Sequence, residues 1–507
     1  MPKLYVFAIG GTGSRVVKSL TMLLAAGIKS NYEIVPIILD PDAAAADVSR
    51  TTRLLNNYRQ INKSVNPNSS DSFFKNKIES LGDVVGAASG DAISNEFRLN
   101  IADLNGGTFR NFIDYNLLDT TGNNQALISL LFSNHNLDLD LEVGFQGNPN
   151  IGSVVLNKFT DSQEYRQFAQ NYTSEDKIFI ISSIFGGTGA AGFPLILKNI
   201  REGKVQGLYF DNLKNAIIGA VTVLPYFKLD GDGTNNIQSS TFMSKTKAAL
   251  SYYHSNITSN KSINTLYYIG DSANNNYKNV VGGSDQKNDA HFVELAAALA
   301  ILDFADDQAQ STDNGLAMDP KYKEFGIDSI DENNPLITFK NLADYTQFII
   351  KEKLTQLFFF NLYLENQMKH EFKAPFAANN PKIDQNFINN QFYSALMEFL
   401  KEFRIWLGEL KRNKISFVPF IIQERLDSEG NITNVEVASD NIFTLLNGIE
   451  KKKKNILERL KSAGTGYDII TAQLSTLERG SNYPNSETKL LDLFTKATKR
   501  SINQELF

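Results

Sequence analysis

Two short runs of small residues carry most of the chemistry legible in this sequence. FAIGGTGSRVV at 7–17 places Gly10, Gly11, Thr12, Gly13 and Ser14 between an apolar stretch and a helix-like repeat. IFIISSIFGGTGAAGFPLIL at 178–197 repeats the plan with Gly186, Gly187, Thr188 and Gly189. Glycine lets backbone amides converge without side-chain interference, and a helix start directly behind adds partial positive charge, so such a run can hold a phosphate. One run alone is also what a tight strand-to-helix turn needs. Two in one sheet point to a polyphosphate held from both sides.

Other phosphate motifs fit less well. A Walker loop needs a Lys-Ser/Thr pair after its last glycine, and neither GGTGSR nor GGTGAA has one. A dinucleotide fingerprint would use Gly11 and Gly13, but its third glycine position is Val16. Asp40 or Asp42 after the next apolar run suits that fingerprint loosely, so an NAD(P)-dependent Rossmann oxidoreductase stays as an alternative that leaves the second run unexplained.

Composition removes several classes. With no cysteine, thiolate catalysis, disulfides and zinc–thiolate sites drop out together. The four histidines, His135, His254, His291 and His370, show no i, i+4 pairing for a metal. LDLDLE at 137–142 alternates Leu with Asp138, Asp140 and Glu142, which suits a half-exposed strand or a carboxylate metal site. A net charge of −6 gives no general attraction to nucleic acid or anionic membrane. The apolar run LAAALAIL at 295–302 is too short to span a bilayer, and MPKLYVFAIGG has no leader pattern, so a cytoplasmic protein without membrane insertion is expected.

The glycine runs need elements to hold them. Five nearly continuous apolar stretches, KLYVFAIG, EIVPIILD, KIFIISS, NAIIGAVTVLPYF and NTLYYIGD, read as strands buried on both faces of a parallel sheet. Val16, Val17, Leu20, Leu23 and Leu24 recur at helical spacing after the first run, closed by Gly27; PLILKNIREG follows the second, closed by Gly203. This is the α/β, Rossmann-like pattern of a doubly wound parallel sheet. The expected division is a nucleotide-binding domain over 1–288 with an insertion at 45–143, a buried central helix at 289–305, an α+β domain over 306–438 and a helical C-terminal region over 439–507. Within these, 311–335 reads as a polar surface connection. Ile442, Leu445, Leu446, Ile449, Ile456, Leu457 and Leu460 form a helical stripe, and Lys451–Lys454 suits either an acidic partner or a solvated surface.

The order of these pieces resembles the tubulin/FtsZ superfamily, in a divergent form of bacterial type. FGGTGAAGFP is similar to the family's glycine-rich signature, with Gly186, Gly187, Thr188 and Gly189 in register and Pro194 matching a proline of FtsZ. GGTGSR looks like the first phosphate loop of tubulin, with Ser14 where tubulin has Asn. LDPDAAA resembles the second-strand loop, which implies Asp42, or Asp40, near the nucleotide and its magnesium. GFQGNPNIG resembles the γ-phosphate loop through Gly144, Gly147, Asn148, Pro149 and Gly152. VTVLPYFKLDG is similar to the stretch leading to the ribose contacts, with Asp230 roughly where FtsZ has glutamate. At the start of the central helix, Phe292 or His291 would stack on guanine and Asn288 would bond its edge; core packing is the other reading of Phe292.

The resemblance implies GTP or GDP with Mg²⁺, head-to-tail homopolymers, and a GTPase activity that depends on assembly because acidic residues after the central helix complete the next subunit's site. LDFADD supplies Asp303 and Asp306 at the family spacing, although Ile301 replaces the expected Asn and the residues come early for a loop after a full-length helix. A nucleotide-binding scaffold without turnover is therefore the second expectation. The insertion and the C-terminal helices depart from the FtsZ pattern and are where a further protein partner would bind.

Overall fold

The computed structural model describes residues 1–42, 44–66, 71–86, 96–101, 107–118, 123–141, 144–145, 147–230, 239–270, 275–278, 288–325, 336–413, 415–439, 441–449 and 466–506, without the side chains of 227–230, 239–242, 275–278 and 325. Its centre is a parallel sheet of six strands: β1 (Lys3–Ile9), β2 (Glu33–Leu39), β3 (Lys177–Ser183), β4 (Ile217–Val223), β5 (Thr265–Ile269) and β6 (Lys321–Phe325). Their order across the sheet is β6-β5-β4-β3-β1-β2, every pairing parallel. The five apolar runs expected as strands are β1 to β5, and the core is Rossmann-like.

Helices cover both faces. On one lie α1 (Gly10–Ala25) and the central helix, whose Phe304 packs on Phe179 of β3. On the other, α4 (Gly187–Glu202) brings Gly192 against Ile9 of β1. Between them in sequence come α2 (Ala46–Lys63), which packs on α1, and α3 (Pro149–Leu156), which packs on α4. Gly27 and Gly203 both take the left-handed backbone that ends α1 and α4. At the β2 edge, short bridges from Ile34 to Ile78 and from Ile38 to Arg98 cover the strand, and Pro36, which has no amide to donate, falls between them.

The central helix, α5 (Phe292–Asp306), is buried almost all round and about 22 Å long. The chain that follows departs from expectation. Residues 321–325, read as surface connection, return to the sheet and pair with β5 as β6. KYKEF lacks the apolar run that marks an interior strand because it lies at the edge, where lysines are common.

The rest packs beside the sheet. α6 (Asp344–Asn366) and α7 (Gln391–Arg412) are long helices, and β7 (Ile422–Leu426) and β8 (Ile432–Val437) form the expected hairpin, with Gly430 at positive φ in its turn. The tail helices are α8 (Tyr467–Glu478) and α9 (Ser486–Glu505). Thr495 and Thr488 of α9 accept bonds from the backbone of Phe73 and Asn66. Among the described residues of the helical stripe expected from Ile442, Ile442–Thr444 form a 3-10 turn and Leu446 bridges to Phe420. Ile456, Leu457, Leu460 and Lys451–Lys454 lie outside the described residues. LDLDLE forms no strand: Leu137, Leu139 and Leu141 are buried and Asp138 and Asp140 exposed, but only Asp140 makes a bridge, to Thr108. The alternation reports burial, and Glu142 is not among the described residues.

Candidate functional site

The strand order fixes where a ligand would go. The connection after β1 runs to β2 on one side, and the connection after β3 runs to β4 on the other. The two diverge from a crevice at the carboxyl ends of β1 and β3, the switch point at which open α/β sheets hold ligands. Both glycine runs emerge there. A Cβ built on Gly10, whose φ is +71°, would stand 3.6 Å from the Thr188 Cβ, so the two turns adjoin. Gly189 has a steric reason: its Cβ would lie 2.5 Å from the carbonyl oxygen of Ser183.

Three helices begin around this crevice. α1 starts directly after β1, α4 follows Gly186, and α3 starts at Pro149. Among the described residues no side chain caps any of the three starts, which leaves first-turn amides for a ligand. A Cβ on Gly187 would approach the amide nitrogens of Gly147 and Asn148 at 3.1 Å, which puts the 145–148 turn against the start of α4. Convergent helix starts carry positive partial charge and suit an anion of several phosphates.

Beside the first turn lies a buried charge network. Arg15 donates to Glu294 of α5 at 2.5 Å, to Asp47 of α2 at 2.5 Å and to the Tyr226 hydroxyl at 2.9 Å. Tyr226 also donates to Glu294 at 2.8 Å. Burial disfavours the Arg15 charge, but Glu294, Tyr226 and Asp47 hold the guanidinium protonated, above its usual range. His291 caps α5, its ring accepting from the Val293 amide, and burial, reinforced by Arg15, lowers it to about 3, so it is neutral.

The sequence-expected residues fall into three groups. Gly10, Gly11, Thr12, Gly13, Gly147, Asn148, Pro149, Gly186, Gly187, Thr188 and Gly189 are all on the turns or first helical turns bordering the crevice. Ser14 turns its hydroxyl back to the Gly10 carbonyl at 3.2 Å. Asp42 is buried and accepts from the Ala44 amide at 3.0 Å, while Asp40 accepts from the Asp42 amide at 3.0 Å. Burial pushes Asp40 up to about 7, opposed by that hydrogen bond and assisted by the Asp42 charge. Among the described residues no three His, Asp or Glu side chains gather as a metal centre. Asp42 therefore fits a magnesium ion only if phosphate oxygens and water complete the shell.

The base-binding expectation meets different packing. Phe292 is buried, its ring 5.5 Å from that of Phe417, and the Asn288 amide groups point to Asp47 at 3.4 Å. Phe292 is thus core, and Asn288 serves the charge network. The backbone of Asp230 pairs in a strand with Lys278, and its side chain lies outside the described residues. Asp303 and Asp306 are far from the crevice, on the last turn of α5 at the opposite end of the sheet. Asp303 accepts from Tyr267 and Lys323, and Asp306 from Asn31.

Arg15, Asp47, Glu294 and Glu409 were not singled out for roles by sequence. Arg15 and Lys18, the only charged residues of the buried α1, and Glu294 within an apolar α5, were the available signal, since buried charges demand partners.

No protein-family profile matches the chain, and no curated protein does. Among solved structures it is similar to CetZ from Methanosaeta thermophila strain DSM 6194, at 11% identity and a TM-score of 0.26. That match spans 53% of this chain and about half (46%) of that one. A likeness of this size carries no argument about function.

Proposed function

We propose that this chain binds the phosphates of a nucleoside triphosphate, GTP by its resemblance to the tubulin/FtsZ superfamily, and associates with itself head to tail under control of that nucleotide. The observation that carries the reading is the meeting of two uncapped glycine turns at the sheet's switch point, with Thr188 against Gly10. The first-turn amides of α1, α3 and α4 would bind and orient the phosphates, and no side-chain nucleophile is required. The triphosphate supplies the bond to be cleaved and Mg²⁺, if bound, charge neutralisation. The choice of guanine rests on the resemblance, because Phe292 and Asn288 are engaged elsewhere.

Asp303 and Asp306 lie at the end of the molecule that would face the glycine turns of the next copy in a head-to-tail filament. A second reading, a nucleotide-gated scaffold without turnover, is favoured by one contact: Asp303 is already paired with Lys323. Sedimentation with GTP, GDP and no nucleotide, with phosphate release followed in the same tube, tests both. Assembly with release supports the GTPase, and assembly without release supports the scaffold. Absence of GTP binding overturns both readings.

A further inference from the structure

The carboxylate of Glu409 on α7 is almost wholly buried and holds together three segments that border the crevice. Lys18 of α1 donates to it at 2.9 Å. Arg50 of α2 donates to its other oxygen, and the Ala290 amide, just before α5, donates at 3.2 Å to the oxygen that Lys18 binds. The same segment is held again by Asn413, whose side chain donates to the Ala290 carbonyl at 2.7 Å, and by Arg50, which reaches Asp47 and the Asn288 carbonyl. Asp47 in turn holds Arg15 beside Gly11. An unbroken run of ion pairs therefore links α7, outside the six-stranded sheet, to Arg15 in the second turn of α1, beside Gly11.

We infer that Glu409 is a positioning residue for the phosphate site, fixing the relative placement of α1, α2 and the start of α5 so that the α1 amides face the crevice. This rests on the reading of the glycine turns as a phosphate site. Three cations, Arg15, Lys18 and Arg50, are matched by three carboxylates, Asp47, Glu294 and Glu409. Incoming phosphate charge would be felt first by Arg15 and Asp47, then by Arg50 and Glu409. Trp406, the only tryptophan, lies one turn from Glu409 on α7 and donates to Ser19 of α1 at 3.2 Å, so it reports on this contact.

The test titrates inorganic triphosphate, and separately GTP, into the full chain, with binding followed by calorimetry and Trp406 emission. Glu409→Gln and Arg50→Gln break the tie from opposite ends, so a variant that fails to fold leaves the other. Amide exchange at 10–14 and in β4 is measured without ligand. The expected result is an affinity loss of about tenfold with faster exchange at 10–14 and unchanged protection in β4. Unchanged affinity in folded variants overturns the inference while leaving the site intact. Protection lost through β4 in both variants makes Glu409 merely structural and also overturns it. A wild-type chain that binds neither probe removes the site itself.

Discussion

Arg15 and Asp47 meet at 2.5 Å immediately beside Gly11, whose Cβ, if present, would stand 3.5 Å from the guanidinium and 3.6 Å from the carboxylate. The turn that offers amides to a phosphate thus shares a boundary with a buried ion pair. That ion pair ties the turn to α2 and α5, because Asp47 belongs to one and Arg15's second carboxylate, Glu294, to the other.

The glycines of the two turns should respond unequally to substitution. Gly11→Ala places its methyl at ordinary contact distance and should change stability by less than about 1 kcal/mol. Gly189→Ala drives a methyl into the Ser183 carbonyl and should cost about 1–3 kcal/mol. Urea unfolding midpoints of the two variants make the comparison, and equal losses would contradict the packing described.

Arg15→Met should be the most damaging of the charge substitutions. It leaves Glu294 and Asp47 buried without their shared cation, a loss of about 3–5 kcal/mol. Denaturant unfolding reads this directly. A loss below 1 kcal/mol (about one-tenth of an ordinary domain's stability) would mean that the network is solvated.

Asp40 should impose a slope on stability against pH. Its carboxyl is raised from 3.8 to about 7 by burial, so the folded chain binds that proton more tightly than the unfolded chain does. The contribution is fully present below 3.8 and is lost as pH rises through about 7. Asp40→Asn should therefore gain stability relative to wild type across that window and hold the gain above it. Unfolding free energies at pH 4, 6 and 8, chosen as roughly spanning the window, check the sign.

If hydrolysis is completed between copies, Asp306→Asn should bind GTP normally in dilute solution yet release phosphate at least about tenfold more slowly once assembled. Binding measured below the assembly concentration, and release measured in the sedimented fraction, separate the two effects. Normal release from assembled Asp306→Asn would exclude this carboxylate.

The sheet was legible because β1 to β5 are uniform apolar runs, a pattern imposed by burial on both faces. β6 was not, because an edge strand answers to solvent on one side and KYKEF carries the polar residues that position tolerates. The glycine turns were legible for a steric reason that leaves a mark in residue type. The charge network was hidden, since Arg15, Asp47, Glu294 and Glu409 are separated by up to several hundred residues and meet only through packing. Phe292 shows the opposite limit: an aromatic at a helix start reads the same whether it faces a base or another ring, and here its ring lies beside that of Phe417.

The edge strand β6 bears on how the acidic residues at the far end of α5 are probed. Lys323 of β6 is tied to Asp303, and Lys321 to Asp307 at 2.6 Å, so these carboxylates fasten the sheet's outermost strand to the helix beneath it. Neutralising Asp303 would unfasten that margin and alter the end face of the molecule along with any chemistry. Asp306 accepts from the side-chain amide of Asn31 and holds no residue of β6, so changing it leaves that margin fastened and makes it the cleaner of the two probes.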